Sequence, residues 1–275
     1  MEKIEFNWQS SGKPVYGNIF RGETTPDKVL IFVHGIGEHI GRYDAWFEKF
    51  TQKGFAIVCA DHHGHGKSAG KRGHFKNYCE PLDFVSMLFE KADEHFPSLP
   101  KILYGHSMGG NISLNYLLRK QPRVKGAIIS SPWIKLQRPP APWLITLAEW
   151  LHPVFPAFSL HTGIKREQLT ANVSELKAIK KDELIHGRIT LSTFLALNGA
   201  SEYVKRNIGK LHVPMLLLHG TDDQIVNYEG AKELHHKNER LIQLELFEGF
   251  KHELHKEEHR DKLFDIINNW LEQFV

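Results

Sequence analysis

Cysteine and long apolar stretches are both scarce in this sequence of 275 residues. Its two cysteines, Cys59 and Cys79, are too few for a disulfide framework, and such scarcity is typical of the reducing cytoplasm. The sequence contains no run of about 18 apolar residues, so we expect no membrane-spanning helix. The first ten residues, MEKIEFNWQS, are charged and lack the apolar stretch of a secretory signal. Together these absences predict a cytoplasmic protein.

The charges are nearly balanced, and the signatures of nucleic-acid, metal and nucleotide sites are missing. The formal net charge is +3, and no long basic run with interleaved aromatic residues indicates a nucleic-acid partner. Four of the 18 histidines lie between residues 62 and 74, but no carboxylate or cysteine at a zinc-ligand spacing accompanies them. The run GHSMGGN lacks the G-K-[ST] ending of a phosphate loop. We therefore predict no nucleic acid, no metal and no organic cofactor.

Six continuous apolar runs alternate with helical patterns. The runs lie at residues 29–35, 55–61, 101–107, 126–131, 215–220 and 242–247, and the helical patterns at 43–53, 81–96, 111–120, 228–236 and 259–274. Continuous apolarity is typical of strands buried on both faces, and the alternation predicts an α/β fold with a parallel sheet between helices. Near the start, IEFNW and PVYGNIF flank QSSGK, which predicts an antiparallel hairpin at the sheet edge.

One segment interrupts this alternation. Residues 134–200 contain no clear buried strand, begin with the proline-rich KLQRPPAPW and continue as helix-like pieces. We predict a helical insert, or cap, over the carboxyl edge of the sheet, where ligands bind in open α/β folds. The chain then divides into a first core part at residues 1–133, the insert at 134–200 and a second core part at 201–275.

A serine between two glycines stands in the run YGHSMGG, at residues 104–110. The residues before it have the pattern of a buried strand, and those after it have the pattern of a helix. A sharp strand-to-helix turn exposes a serine hydroxyl at the sheet edge and needs glycine where neighbouring backbone approaches. The pattern G-x-S-x-G predicts Ser107 as a nucleophile, although an ordinary glycine-rich turn has the same short signature.

A serine nucleophile needs a base and an orienting carboxylate, and in this type of fold the acid precedes the histidine. The run MLLLHGTDDQIV offers Asp222 and Asp223 just after a strand. The run LELFEGFKHELHKE offers His252 and His255 after the last strand. All three roles therefore have candidates in the expected order at one edge of the sheet.

The oxyanion of the transition state needs two backbone N–H donors aimed at one point. One donor is expected from the residue after the serine, which is Met108. The other is expected from the loop after an early strand, where VHGIGEH places Ile36 after His34 and Gly35. Only the backbone of these residues is needed, so their side chains are no obstacle.

Five motifs spread over the chain occur together: HGIGEHIGRY, ADHHGHGKSAGKRG, GHSMGG, HGTDDQIV and EGFKHELHKE. In this combination the sequence resembles the monoacylglycerol lipase and lysophospholipase branch of the α/β-hydrolases, over essentially the whole chain. The resemblance implies an α/β-hydrolase fold with Ser107 as nucleophile, Asp223 as acid and His252 as base. Asp223 rather than Asp222 fits the pattern G-x-x-D with a valine three residues later.

The resemblance also implies a polar pocket for a glycerol-like head group, lined by Glu38, Arg42 and His255. A capping or ion-pair role near the oxyanion loop is an equally good interpretation of these residues. The insert matches the family less well, because LTANVSE stands at residues 169–175 where relatives often have an S-R-D turn. The shape of the cap therefore stays open.

These features predict a serine carboxylic ester hydrolase that takes a small lipid ester, monoacylglycerol, to fatty acid and glycerol through an acyl-enzyme. Lysophospholipids and small esters are alternative substrates, and an aminopeptidase of the same fold would use the same triad. A non-catalytic binding protein on this scaffold would lack part of the site, and no part is missing here. Dehalogenase and epoxide hydrolase chemistry would need an aspartate at position 107.

The insert contains the apolar run PPAPWLITLAEWLHPVFPAF, at residues 139–158. Glu149, His152 and the prolines interrupt it too often for a membrane span. Its apolar side chains either line an acyl tunnel or face outward, with Trp143 and Trp150 in a membrane interface. We predict that both occur, so that the protein contacts the membrane peripherally through the cap. The mild positive charge permits attraction to an anionic surface.

Overall fold

The computed structural model describes residues 1–10 and 12–274, and eight strands in this part of the chain form one sheet. In chain order the strands are β1 (Glu2–Ser10), β2 (Lys13–Arg21), β3 (Lys28–Val33), β4 (Phe55–Ala60), β5 (Lys101–His106), β6 (Gly126–Ser130), β7 (Ser159–His161), β8 (Arg188–Thr190), β9 (Met215–Gly220) and β10 (Ile242–Phe247). The sheet has the order β1-β2-β4-β3-β5-β6-β9-β10. The short strands β7 and β8 pair separately as an antiparallel ribbon.

The sheet is mostly parallel, as the apolar runs predicted. β4, β3, β5, β6, β9 and β10 all run parallel to their neighbours in this series. All of these strands except β10 are buried on both faces, because their residues are apolar almost throughout. β1 and β2 form the predicted antiparallel hairpin, and β2 joins it to β4.

Helices cover both faces of the sheet, which confirms the predicted α/β arrangement. The helices are α1 (Asp44–Thr51), α2 (Cys79–His95), α3 (Met108–Lys120), α4 (Pro142–Leu151), α5 (Val173–Lys181), α6 (Leu191–Asn207), α7 (Glu229–Lys237) and α8 (Arg260–Leu271). α1 and α8 pack on one face, where the ring centroids of Phe50 and Phe264 lie 5.0 Å apart. α2 and α3 pack on the other face, where Phe89 stacks on Tyr116 at 5.3 Å.

The segment between β6 and β9 contains α4, the β7–β8 ribbon, α5 and α6. Helix α6 passes through the boundary predicted at residue 200, buries Leu197 and Val204 in the core and packs against α3. Residues 191–200, predicted as part of the insert, are therefore continuous with a helix of the core. The apolar pattern does not predict the β7–β8 ribbon, because two of the three residues of β7 are exposed.

Candidate active site

Ser107 lies in the turn between β5 and α3, at the carboxyl edge of the sheet. Its backbone has φ 54° and ψ −115°, and a residue with a side chain in such a region stores about 1–3 kcal/mol of strain. Hydrogen bonds on both sides hold this conformation. Its N–H donates to the Ser130 carbonyl at 2.9 Å, and its carbonyl accepts from the Trp133 N–H at 3.0 Å. Ser107 therefore belongs neither to β5 nor to α3 and is held in the turn between them.

The two glycines of the G-x-S-x-G run are needed because other backbone atoms lie too close to them for a side chain. A Cβ at Gly105 would lie 2.5 Å from the Gly109 carbonyl oxygen, and a Cβ at Gly109 would lie 2.6 Å from the His34 carbonyl oxygen. Both distances are well inside van der Waals contact, so a side chain at either position would force the backbone apart. The glycines thus allow the turn that carries Ser107 to pack against the loop after β3.

Three side chains from separate loops meet at this edge. His252 Nε2 lies 2.9 Å from the Ser107 hydroxyl, and His252 Nδ1 lies 2.7 Å from Asp223 Oδ2. Because an ionised carboxylate only accepts, Nδ1 carries the hydrogen and Nε2 accepts from the hydroxyl. Each of the three residues is at most 5% exposed, so water screens these hydrogen bonds only weakly. Asp222, the alternative acid, is exposed to solvent in the same loop.

The charges around this pair favour an ionised acid beside a basic imidazole. Burial raises the pKa of Asp223, but the charge of His252 and hydrogen bonds from His219 and His252 outweigh burial and hold the pKa below its ordinary range. Burial lowers the pKa of His252, but the Asp223 carboxylate outweighs burial and holds that pKa above the ordinary 6.5. The imidazole is therefore a stronger base than an ordinary histidine.

A tight turn after β9 aims the Asp223 carboxylate. Its Oδ1 accepts hydrogen bonds from the N–H groups of Ile225 at 2.8 Å and Val226 at 2.9 Å. An aspartate side chain readily accepts from the backbone two or three residues later, which is why this sequence forms the turn locally. With Oδ1 engaged, Oδ2 is the oxygen that faces His252.

The loop after β3 reaches the serine through Gly35. A Cβ at Gly35 would lie 3.1 Å from Ser107 Cβ, so the loop backbone stands directly beside the serine. Within the described residues, neither the Ile36 nor the Met108 N–H donates a hydrogen bond. Met108 is also the first residue of α3, and a helix N-terminus carries a partial positive charge. Two unengaged donors beside the serine suit a developing oxyanion.

Glu38 and Arg42, two of the predicted head-group residues, lie in a buried ion-pair network. Arg42 donates to the two oxygens of Glu253 at 2.7 and 2.6 Å and to Glu38 at 3.0 Å. Glu38 also accepts from the Gly35 N–H at 2.5 Å and from the Tyr43 hydroxyl at 2.8 Å. The network thus connects the oxyanion loop to the residue that follows the predicted base.

Sequence reasoning missed Glu253, and its only signal is its place directly after His252. Burial raises the pKa of Glu253, but the Arg42 guanidinium outweighs burial and holds the pKa below its ordinary range. Burial also raises the pKa of Glu38, which shares the same guanidinium. Arg42 is therefore the group that compensates two buried carboxyl side chains.

A cavity of about 170 Å³ opens beside the oxyanion loop. Its lining includes Glu38, Arg42 and Glu253 from the core and Arg166 and Ile179 from the insert. This volume is below the ~300–1,000 Å³ of sites for drug-sized ligands, so the cavity suits a small polar group. A larger groove of about 820 Å³ lies at the opposite edge of the sheet and contains none of the predicted site residues.

A family model described as serine aminopeptidase, S33, matches residues 24–259. The monoglyceride lipase of Rattus norvegicus is 32% identical over 95% of this chain and 88% of that protein. The chain belongs to the monoacylglycerol lipase branch of this family. The monoacylglycerol lipase of Mycolicibacterium smegmatis is 27% identical over 94% of this chain and 93% of that protein. The crystal structure of the Paleococcus ferrophilus monoacylglycerol lipase superposes with a TM-score of 0.86 at 29% identity, covering 95% of this chain and 99% of that one.

These matches confirm the α/β-hydrolase fold, the family and the expectation of an enzyme. Of the three residues that the family resemblance implies for the head-group pocket, one does not line the cavity in this protein. His255 is buried, its ring stacks on Tyr43 at 4.4 Å between centroids, and it lies 5.4 Å from His106. Burial lowers the pKa of His255 well below its ordinary value. The structure brings Glu38 and Arg42 to the cavity but places His255 in the packing behind it.

Ser131, directly after β6, is another residue that sequence reasoning missed in this member of the branch. Its φ is 44°, and its N–H donates to the Leu218 carbonyl at 2.8 Å. Its hydroxyl donates to the His252 carbonyl at 2.9 Å, so it ties the backbone of the predicted base to the strand ends. The available signal was its position at a strand end on the same edge as Ser107.

One half of the insert, residues 165–181, is bonded to the loop that carries the predicted base. The Glu253 N–H donates to the Leu169 carbonyl at 2.8 Å. Glu175 in α5 pairs with Lys256 at 3.1 Å. We call residues 165–181 the anchored half, because its polar groups hold it to the core.

The other half, the α4 segment at residues 142–155, has the opposite character. In the part of the chain that the structure describes, every hydrogen bond made by this segment has its donor and its acceptor within residues 141–158. Trp143 is 66% exposed, Trp150 is 76% exposed and Val154 is 70% exposed. Among the described residues, no helix is both long enough and apolar enough for a membrane crossing. The segment is therefore an apolar surface without polar ties to the core.

Proposed function

We propose that this enzyme hydrolyses monoacylglycerols to a fatty acid and glycerol through an acyl-enzyme on Ser107. The observation that carries the proposal is the chain of hydrogen bonds from Asp223 through His252 to Ser107, 2.7 and 2.9 Å long. The monoacylglycerol and monoglyceride lipases among the relatives support the substrate class.

Acylation begins when the Ser107 oxygen attacks the ester carbonyl carbon while His252 Nε2 takes the hydroxyl proton. The carbonyl oxygen becomes an oxyanion, and each N–H donor, from Ile36 and Met108, stabilises it by about 3 kcal/mol. Asp223 stabilises the imidazolium through the hydrogen bond to Nδ1. The intermediate then collapses, the bond to the glycerol oxygen breaks, and glycerol leaves with the proton from His252.

Deacylation repeats these steps with water as the nucleophile. His252 Nε2 takes a proton from water, and the water oxygen attacks the acyl carbon bound to Ser107. The same N–H groups stabilise the second oxyanion. When the bond to Ser107 breaks, the serine oxygen recovers the proton from His252 and the fatty acid leaves.

The small cavity beside the oxyanion loop is the proposed site of the glycerol head group. Its volume of about 170 Å³ suits a three-carbon polyol better than an acyl chain. Each oxygen of Glu253 accepts one N–H of Arg42. A carboxylate oxygen has two lone pairs, so each has one left for a glycerol hydroxyl. Because Glu38 and Arg42 line the same cavity, on this proposal they combine the two roles left open by the sequence, ion pairing and head-group contact.

On this proposal the α4 segment rests on the membrane that holds the substrate. Trp143 and Trp150 face solvent, and tryptophan is enriched at membrane–water interfaces. Ile145, Ala148 and Leu151 face inward at helical spacing and are the proposed start of the acyl path. The protein then binds the membrane peripherally, with α4 as the contact.

The test is turnover on a panel of monoacylglycerol, diacylglycerol, triacylglycerol, lysophosphatidylcholine and a short aryl ester, for wild type and Ser107→Ala. Monoacylglycerol should be hydrolysed fastest among the lipids. Ser107→Ala should lower kcat by about 10⁶-fold on every substrate, as expected when the nucleophile of a triad is removed. A serine-directed phosphonate should label the wild type at Ser107 alone, and circular dichroism should show the variant folded.

Other outcomes identify other functions. Faster hydrolysis of lysophosphatidylcholine would make the enzyme a lysophospholipase, and activity on the aryl ester alone would make it a small-ester esterase. Near-normal turnover by Ser107→Ala would contradict the assigned nucleophile.

A further inference from the structure

A second histidine shares the carboxylate oxygen that faces the predicted base. His219 lies near the end of β9 and is completely buried. Its Nε2 lies 3.1 Å from Asp223 Oδ2 and 3.2 Å from the Val226 carbonyl oxygen. Asp223 Oδ2 therefore stands between two imidazole rings, that of His219 and that of His252 at 2.7 Å.

The neighbours of His219 determine which of its nitrogens carries the hydrogen. Both atoms within hydrogen-bond distance of Nε2 are acceptors, so Nε2 must be the donor. Nδ1 is buried and has no hydrogen-bond partner within the described residues. A second N–H there would leave a buried donor unsatisfied, which is unfavourable. The hydrogen-bond geometry therefore assigns the ring hydrogen to Nε2.

We propose that His219 is a positioning residue that sets the basicity of His252 by donating to the same oxygen of Asp223. The proposal rests on the function proposed above, because it concerns the strength of the base in that reaction. Oδ1 is already held by two backbone N–H groups, from Ile225 and Val226. His219 thus completes the set of donors around the carboxylate and limits how much of its negative charge acts on His252.

The direction of the effect follows from the charges. A hydrogen bond to a carboxylate oxygen stabilises its negative charge and weakens its pull on another proton donor. Without the His219 N–H, Asp223 would stabilise the His252 imidazolium more strongly, and the pKa of His252 would rise further. Among the described residues, the other titratable groups that act on His252 are His106, at 5.1 Å between ring centroids, and Glu38 and Glu253, whose charges raise the pKa of His252. None of these is changed by a substitution at residue 219.

The experiment compares two side chains of similar length, His219→Gln and His219→Met. Glutamine can donate from its amide to both Asp223 and the Val226 carbonyl, whereas methionine has no donor. The measurement is kcat/KM for a short aryl ester between pH 5 and pH 9, with thermal unfolding of each variant. A short ester is chosen because its hydrolysis depends on the triad and not on the membrane or the head-group cavity.

His219→Met should move the acid limb of the profile up by about half a pH unit, since one net hydrogen bond of ~1 kcal/mol corresponds to somewhat under one pKa unit. It should lose roughly threefold in kcat/KM at pH 5.5 and little on the alkaline plateau, with KM unchanged within about twofold. His219→Gln should keep the wild-type limb. An equal loss at every pH, or a limb that stays or moves down in His219→Met, would overturn the proposal.

Spectroscopy of the wild type provides a test that needs no variant to fold. Nitrogen-15 NMR of the histidine rings at pH 8 should show His219 with its hydrogen on Nε2. A ring with its hydrogen on Nδ1 would overturn the proposal. The failure of the proposed function is a separate outcome, since it would appear as a wild type without ester hydrolysis.

Discussion

The edge of the sheet that carries Ser107 and the α4 segment of the insert are built in opposite ways. At the sheet edge Ser107, Asp223 and His252 are at most 5% exposed, and hydrogen bonds from the backbone orient the acid and the serine. In the α4 segment Trp143 and Trp150 are 66% and 76% exposed, and its hydrogen bonds stay within the segment and its immediate flanks.

On the proposed function, in which the sheet edge carries the chemistry and α4 rests on a membrane, the difference follows from the task of each region. A base and a nucleophile act together only when they are held in one geometry, and buried hydrogen bonds provide that geometry. A surface that meets a lipid bilayer needs apolar area and few directional bonds. Substitutions in the first region should therefore affect every substrate alike, whereas those in the second should affect only a substrate held in a membrane.

The largest effect is expected from Asp223→Asn, which removes the carboxylate that orients His252. We expect kcat to fall about 10⁴-fold on both membrane-borne monoacylglycerol and a short soluble ester, because an amide favours the wrong tautomer of the base. Steady-state kinetics on the two substrates measure this. Asp222→Asn is the matched control: its side chain is exposed in the same loop, so its rates should stay within about twofold. A larger loss in Asp222→Asn would reassign the acid.

The next effect concerns the junction between the sheet edge and the anchored half. Arg42→Met leaves Glu38 and Glu253 buried without their cation and should lower the free energy of unfolding by about 3–5 kcal/mol. Arg42→Lys keeps the charge but cannot donate to both oxygens of Glu253 in parallel, so its loss should be smaller. Urea denaturation measures both.

The same pair of variants separates ion pairing from head-group contact. If Arg42 also touches glycerol, Arg42→Lys should raise KM for monoacylglycerol and leave KM for the aryl ester unchanged. A stability loss with identical KM values on both substrates would restrict Arg42 to the ion-pair role.

A smaller effect is expected in the α4 segment from the double variant Trp143→Gln with Trp150→Gln. It should bind vesicles of anionic lipid less well and lose roughly tenfold in turnover of vesicle-borne monoacylglycerol, since ~1.4 kcal/mol of interfacial binding is a tenfold change. Co-sedimentation and turnover measure this, and the rate on the soluble ester should not change. Val173→Gln, which alters an apolar side chain 60% exposed in the anchored half, should retain vesicle binding. Equal losses on both substrates would contradict the distinction between the two regions.

The smallest expected difference concerns the pH dependence of kcat/KM on the two substrates. His252 must be neutral to accept the serine proton, and its pKa lies above 6.5, so kcat/KM should reach half its plateau above pH 6.5 and fall about tenfold per unit below that point. His34 and His106, with pKa values of about 3 each, do not titrate in this range. The acid limb should be the same on the vesicle-borne and the soluble substrate. Acid limbs that differ between the two substrates would indicate a titrating group in the proposed membrane contact.

Periodicity and local motifs were enough to predict the eight strands of the main sheet, most helices, and candidates for serine, acid and histidine in that order along the chain. The carboxyl ends of parallel strands meet at one edge, so Ser107, Asp223 and His252 could be expected together before their distances were known. The structure brings them within hydrogen-bond distance, while their roles stay a prediction until the kinetics are measured. The choice between Asp222 and Asp223 depended on family resemblance, because adjacent residues in one turn differ only in the direction of their side chains.

Contacts between distant loops could not be predicted in the same way. Glu253 pairs with Arg42 across 211 positions of the chain, and Ser131 bonds to the His252 carbonyl across 121. Nothing in the local pattern of either residue encodes such a partner. The head-group position implied for His255 shows the same difficulty, since a stacking contact with Tyr43 places it in the packing behind the cavity.

The bonds that hold the anchored half also join parts of the chain that are far apart in sequence. The Leu169 carbonyl accepts from the Glu253 N–H, and the Thr170 hydroxyl donates to the Lys256 carbonyl 86 residues away. The Glu253 amide can then exchange with deuterated water only after the anchored half has opened, so the two stretches form one cooperative unit. The amides of α4 need no such opening and exchange by fraying of a short, solvent-exposed helix. Deuterium uptake should therefore begin in the α4 segment and occur last in the loop that holds the predicted base.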